Sequence, residues 1–309
     1  MIQRKLIEQF RVEPGSKVNL KRFLTDWTET EEARELGKDV IKERAANILA
    51  ENRTQLSDAQ ELLYASDTRS VLLIFQAMDA AGKDGTIRHV MSGVNPQGCQ
   101  VYSFKKPSAE ELDHNFLWRY MKSLPERGRI GIFNRSYYED VLVVKVHPEW
   151  LGPGQPADPD EKFWHKRYED INNFEKHLSR NGTLVLKFFL HVSKDEQRRR
   201  FLERLDNPDK HWKFSEADLA EREHWKAYQK AFEEALAATS TRRAPWYVIP
   251  ADRKYVARAL VADIVVEAIR GLGLEYPKVS GEHLARLAAA RARLVGKDAK
   301  ADPAEPEEP

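Results

Sequence analysis

The chain has 309 residues, with 50 Lys and Arg against 49 Asp and Glu, so no overall field recruits nucleic acid or an anionic membrane, and any polyanion must be held by a local basic patch. That length buries a substantial core, enough for one large or two modest domains. The lone Cys99 excludes an intrachain disulfide, the opening Met1-Ile2-Gln3-Arg4-Lys5 lacks an apolar signal core, and no apolar run nears the ~20 residues of a membrane span, so a cytoplasmic protein is expected.

Residues 1 to 28 carry a Pro14-Gly15 break and read as an N-terminal arm. A charged helical stretch follows from 29 to 63, and the whole of 1–69 is expected on the outside of the core. Then the pattern alternates: strand 71–76, helix 85–94, strand 99–104, helix 108–123, strand 129–134, helical turns 136–146. That βαβαβ order is the signature of a parallel sheet covered by helices. Ser108 with Glu111, and Ser193 with Glu196, place a capping serine three residues before a glutamate and mark two helix starts. From His147 to Asp160 the chain contains Pro148, Pro153, Pro156, Pro159, Gly152 and Gly154, which forbid regular structure and make an exposed loop. Strands 183–190 and 246–249 and a helix over 254–271 complete an α/β core of about five strands, spanning 70–272. Residues 273–309 form a C-terminal extension, Ala/Arg/Leu-rich and helical over 281–295. With three prolines and five acids in 297–309, disorder is expected from about 297.

The chemistry concentrates at 77–86, Ala-Met-Asp-Ala-Ala-Gly-Lys-Asp-Gly-Thr, between an apolar strand and a helix. A strand that feeds a glycine-flanked lysine into a helix N-terminus is a phosphate cradle, because backbone N–H groups converge there and Lys83 adds a full positive charge. Against the pattern G-x-x-x-x-G-K-[ST] the first glycine is replaced by Ala77, and Asp84 stands where a hydroxyl would bind Mg²⁺. Asp79 lies inside the loop. Beside phosphate a carboxylate suggests a metal ligand or a base for the attacking oxygen, and otherwise a turn former. Asp84 either binds Mg²⁺ through water or caps the helix.

A second constellation, Phe133-Asn134-Arg135-Ser136-Tyr137-Tyr138-Glu139-Asp140, follows the third strand, where ligands of open α/β sheets bind. Arg135 and Glu139 are one helical turn apart. They form either a plain helical ion pair or a functional set, with Arg135 on a phosphate and Glu139 and Asp140 on metal or the acceptor nucleotide. A third, Lys194, Arg198, Arg199, Arg200, Arg204, Lys210 and Lys213, is either a solvated helix face or half of a helical lid that closes over phosphates and excludes water. Tryptophans 118, 164, 212, 225 and 246 read as core, with at most one against a base. The nine histidines show no metal-ligand spacing.

Taken together, Met78 to Thr86, Gly93-Val94-Asn95-Pro96, Phe133 to Val141, Leu186 to His191 and Ala244-Pro245-Trp246-Tyr247 closely resemble the polyphosphate kinase 2 family, over roughly residues 70 to 253. The resemblance implies a P-loop kinase with a lid at about 194–240. Such an enzyme moves phosphoryl groups between inorganic polyphosphate and nucleotides with Mg²⁺, or Mn²⁺ in its place. Tyr-Glu-Asp-Val at 138–141 is similar to the subgroup that accepts both AMP and ADP, whereas an ADP-only subgroup carries Tyr-Asn-Arg-Ala. Carried onto this chain, the donor phosphates fall to Ala81, Gly82, Lys83, Asp84, Gly85, Thr86, Asn134 and Arg135. Asp79 and Asp140 would bind the metal, Glu139 would read the acceptor, and Arg198, Arg200 and Arg204 would come from the lid. The expected partners are polyphosphate, AMP, ADP and ATP, with no nucleic acid or membrane, in a homo-oligomer. An ATP-dependent small-molecule kinase and a non-catalytic nucleotide or polyphosphate sensor are the alternatives.

Overall fold

The computed structural model describes residue 2 and residues 4–298. It divides into two compact units, Met1–Leu274 and Glu275–Pro309. In chain order the first unit contains α1 (Arg4–Glu8), α2 (Glu31–Leu36), α3 (Lys38–Ser66), β1 (Ser70–Gln76), α4 (Lys83–Val90), β2 (Cys99–Ser103), α5 (Ala109–Leu112), α6 (Trp118–Met121) and β3 (Ile130–Asn134). After these come α7 (Glu139–Val146), α8 (Glu161–Arg180), β4 (Thr183–His191), α9 (Lys194–Asp206), α10 (Glu216–Glu223), α11 (Trp225–Thr239), β5 (Trp246–Pro250) and α12 (Lys254–Arg270). Among its described residues the second unit holds one helix, α13 (Gly281–Asp298). The disorder expected from about 297 falls, past Asp298, outside the described residues. No helix among the described residues is long and apolar enough to cross a membrane.

The five strands form one parallel sheet in the order β2-β3-β1-β4-β5. β1 and β3 are buried along their whole length, which is why both read as apolar runs and not as alternating strands. Phe75 of β1 stands level with Asn134 of β3 and with Phe188 of β4, so the carboxyl ends of these central strands open on one crevice.

Four segments differ from the pattern read in the sequence, one being the proline-rich loop, which opens with a 3-10 helix at Pro148–Trp150. The stretch 29–63 is two helices, divided at Gly37, whose φ of 81° only glycine adopts without strain. Helix 108–123 is instead α5 and α6. Ser108 and Glu111 form a reciprocal cap at the start of α5, and Asn115 then takes the Leu117 N–H and restarts the chain. The stretch between the proline-rich loop and β4, which carries no assignment above, is α8. Asp160 caps it, and it buries Trp164, Tyr168, Ile171, Phe174 and Leu178 at helical spacing. The N-terminal arm covers the outer edge of β5: Val12 N–H donates to Trp246 O at 2.9 Å, and Val248 N–H donates to Phe10 O at 2.7 Å. A sheet edge left open would template pairing with another chain.

His191, at the end of β4, is 6% exposed, and burial pushes its imidazole down to about 4, against the pull of Asp252, Gln229 and the Phe23 carbonyl. A depressed folded-state pKa contributes stability that is full above the unfolded value near 6.5 and lost as pH falls through about 4. Urea titrations of the protein and of His191→Gln should therefore diverge between pH 7 and pH 4. The wild type should lose up to about 3 kcal/mol more than the variant over that range.

Candidate active site

Beyond Gln76 the chain leaves the sheet and turns back on itself. Ala80 is left-handed at φ 59°, Ala81 N–H donates to Met78 O, and Gly82 takes φ 104° immediately before α4 begins at Lys83. No side chain caps α4. Its first N–H groups therefore face the crevice ready for an anion. Lys83 Nζ donates to Ala77 O at 3.1 Å, which folds the ammonium back over the loop it closes. Asp84 does not cap the helix. Its carboxylate takes a bond of 2.5 Å from Asn134 Nδ2, tying the loop after β1 to the end of β3. Thr86 is buried in the first turn, where its N–H donates to Gly82 O, and Gly85 lies beside it.

Arg135 follows β3 with φ 66°, a conformation non-glycine residues rarely adopt. Its N–H donates to Phe75 O, which holds it beside the loop. The guanidinium lies 3.2 Å from Asp79 and 3.6 Å from Glu139. These four side chains, Asp79, Lys83, Arg135 and Glu139, form one charged group in the crevice. Burial lowers the Lys83 pKa and Arg135 lowers it further, while Asp79, Glu139 and Asp84 raise it. Burial raises Glu139, against Arg135 and Lys83. Arg135 itself is raised, first by Glu139.

Asp140 does not join this group. Consecutive residues on a helix point ~100° apart, and Asp140 turns to Tyr120 Oη, 3.2 Å away, and to Arg167 at 3.9 Å. Burial there raises its carboxyl to about 7. Asp140, expected as a second metal-shell carboxylate, is thus held by Tyr120 and Arg167 here, and among the described residues no group of three or more His, Cys, Asp or Glu is placed to hold an ion.

The lid arginines also divide. Arg200, 4% exposed, donates to Ala80 O and Ala81 O in the loop and to Ala251 O and Asp252 O beyond β5, at 2.6–3.2 Å. Its Nη donors face carbonyls and its Nε pairs with Glu196 at 2.7 Å, so here it braces the loop from behind. Gln197 adds a bond to Asp79 O at 2.9 Å. Arg198, two residues from Arg200, is exposed on another face of α9. Arg204 pairs with Asp218 of α10 at 3.3 Å. Asp218 is raised by burial and by the charge of Asp79, and lowered by Arg204, Arg135 and Lys83, which sets α10 within electrostatic reach of the cluster. Glu221 of α10 accepts from Tyr228 Oη and lies 3.1 Å from His147, joining α10 to the end of α7. Replacing Arg200 with lysine removes the fork that serves four carbonyls. A loss of about 1–3 kcal/mol of unfolding free energy is expected from urea denaturation.

Sequence reasoning assigned no role to the support under Arg135. Lys187, in β4, donates to Glu175 at 2.6 Å, to Tyr138 Oη at 2.9 Å and to Thr239 O at 2.8 Å. Tyr137 and Tyr138 donate to the other Glu175 oxygen at 2.9 and 2.8 Å. The only trace in the sequence is a lysine inside the apolar run Leu-Val-Leu-Lys-Phe-Phe-Leu.

A parallel sheet in this order, with a Gly-Lys loop after β1 and an arginine set beside it after β3, defines a P-loop kinase. The chain belongs to the polyphosphate kinase 2 family, whose model, "Polyphosphate kinase 2 (PPK2)", matches residues 39–275. It is 51% identical over 291 residues to the "ADP-polyphosphate phosphotransferase" of Rhodopseudomonas palustris, covering 93% of this chain and 98% of that one. It is 48% identical over 272 residues to the "AMP/ADP-polyphosphate phosphotransferase" of Meiothermus ruber, covering 88% and 96%. The crystal structure of polyphosphate kinase 2 from Arthrobacter aurescens TC1 superposes with a TM-score of 0.82 at 40% identity, over 94% of this chain and 96% of that chain.

Proposed function

We propose that this protein transfers the terminal phosphoryl group of inorganic polyphosphate to AMP and to ADP, giving ADP and ATP, and runs the reverse reaction. The observation that carries the reading is the convergence of Lys83 and Arg135 with Asp79 and Glu139 at the ends of adjacent strands. The relatives named above, one for ADP and one for AMP and ADP, support polyphosphate as donor.

A phosphate oxygen of the acceptor nucleotide attacks the terminal phosphorus of polyphosphate. The new P–O bond forms as the old P–O–P bridge breaks, and the electron pair leaves on the shortened polyphosphate. The transition state is loose and in line, so the work of the chain is positioning and charge neutralisation. The N–H groups from Ala81 to Thr86 and the Lys83 ammonium hold the donor end. Arg135, held between two carboxylates, turns one face to the transferring group, and Asn134 fixes Asp84 beside it. Glu139 lies on the acceptor side, and residues 194–240 act as the lid, with α10 excluding water.

The donor set suits Mg²⁺ or Mn²⁺. A partly buried Asp79 carboxylate beside a phosphate cradle would suit such an ion, which favours carboxylates together with substrate phosphates over an all-protein cage. When bound, it would supply positive charge to offset that of the reacting phosphates. Asp79 is the residue that would hold it, and Asp140, tied to Tyr120 and Arg167, would act through the acceptor side of α7.

Incubation with polyphosphate and Mg²⁺ in the absence of ATP, with AMP and ADP in separate reactions, tests the reading. ADP from the first and ATP from the second are expected. No product in either assay, with turnover restored by ATP and another acceptor, would sink it.

A further inference from the structure

None of the residues of α10 is buried, so little core packing holds this helix and its position depends on polar contacts. Two of these lead back to α9. Arg204 pairs with Asp218 at 3.3 Å, and Arg222 donates to Lys194 O at 2.8 Å and to Gln197 Oε1 at 2.7 Å. The contacts of Glu221 lead the other way. It accepts from Tyr228 Oη of α11, and its Oε2 lies 3.1 Å from His147 Nε2 at the end of α7.

His147 is held in place for that contact. Its Nδ1 lies 3.1 Å from Glu149 Oε1, and its ring stacks on Trp150 at 4.2 Å, both in the short 3-10 helix that follows α7. His224, which ends α10, meets the same ring edge-on at 4.9 Å. Two residues before His147, Lys145 donates to Tyr168 Oη of α8 and pairs with Glu234 of α11, so the end of α7 is tied to both helices. Carboxylates only accept, so the ring serves Glu149 and Glu221 together when both its nitrogens carry protons. The junction also borders the reacting groups. Burial raises the Tyr228 hydroxyl, as does Glu221, and the charges of Glu139 and Asp79 reach it too.

We propose that His147 is a positioning residue for the lid: by docking Glu221 it holds α10 over the transferring phosphoryl group, and so sets how much of that group passes to nucleotide and how much is lost to water. The proposal rests on the transfer reading and the lid above. In the loss, a water oxygen takes the place of the acceptor oxygen on the terminal phosphorus. The same P–O–P bridge breaks, its electron pair leaves on the shortened polyphosphate, one water proton passes to solvent, and orthophosphate departs. A docked lid denies water that position.

The test measures orthophosphate and ATP formed from polyphosphate and ADP by the wild type, His147→Ala, Glu221→Ala and the double variant, with hydrogen exchange of residues 216–223 in each. Losing one charge-assisted hydrogen bond should raise the ratio of orthophosphate to ATP about tenfold in either single variant. The double variant should go no further, because both substitutions break the same contact. His147→Gln keeps one N–H donor for Glu221 and should fall between wild type and His147→Ala. Exchange should quicken over 216–223 and hold in β1 and β4. Glu221 belongs to a helix with no buried residue, so Glu221→Ala decides the matter should His147→Ala fail to fold. An unchanged ratio in the folded single variants, additive effects in the double, or exchange quickened equally in the sheet overturns the proposal. Should the wild type give no ATP, the transfer reading fails, and exchange alone decides whether His147 docks the lid.

Discussion

Lys83→Ala should lower turnover on polyphosphate by roughly 10²–10³-fold in a protein that folds normally, the usual size for one preorganised charge-stabilising donor. Lys83 is the one ammonium in the group, and its Nζ is already fixed by the Ala77 carbonyl, so it moves little when donor arrives. Removing it leaves Arg135 facing Asp79 and Glu139 alone, and the developing charge on the transferring group loses its nearest point of neutralisation. Lys83→Arg should recover little, because a planar fork cannot occupy the turn a compact ammonium fits. The measurements are kcat at saturating donor and an unfolding midpoint for each variant. Turnover within a few-fold of wild type in a folded Lys83→Ala protein would remove Lys83 from the chemistry.

The second large effect is on stability. Lys187 is 0% exposed and Glu175 1%, and they meet at 2.6 Å under the Arg135 segment. Burial lowers Lys187, and Glu175 raises it. Lys187→Met strands a carboxylate in the core and should cost about 3–5 kcal/mol of unfolding free energy. Adding Glu175→Leu should recover part of that loss, since the stranded charge is gone. Recovery stays incomplete, because Tyr137 and Tyr138 lose their shared acceptor. Urea denaturation of the single and double variants measures both effects. A single variant within 1 kcal/mol of wild type would show that the pair ionises differently from its geometry.

The strands were legible because each is a buried run of Val, Leu, Ile and Phe, and parallel strands covered on both faces leave no other pattern. The loop and Arg135 were legible because glycine and lysine at a strand-to-helix turn satisfy a local need. What escaped was tertiary. Arg200 looks in sequence like its neighbours Arg198 and Arg199, and only the packing of α9 against the loop and β5 sends it to four carbonyls. Glu139 and Asp140 are adjacent carboxylates that one would assign together, yet the turn of α7 parts them. α8 went unassigned because its exposed face is dense with charge, and its buried face shows only when read three and four residues apart.

Arg200 also fixes where motion can begin. One side chain clasps the loop after β1 and the segment after β5, so the first two turns of α9 belong mechanically to the sheet. In the lid proposed above for residues 194–240 the pivot would therefore lie downstream, at Asn207-Pro208, where α9 stops and proline denies the backbone a helical bond. A hinge placed there would let α10 swing away, once Arg222 releases Lys194 O and Gln197, while the cradle behind it keeps its shape. Each cycle would then begin from a loop already built, and opening for product release would leave the anion site intact.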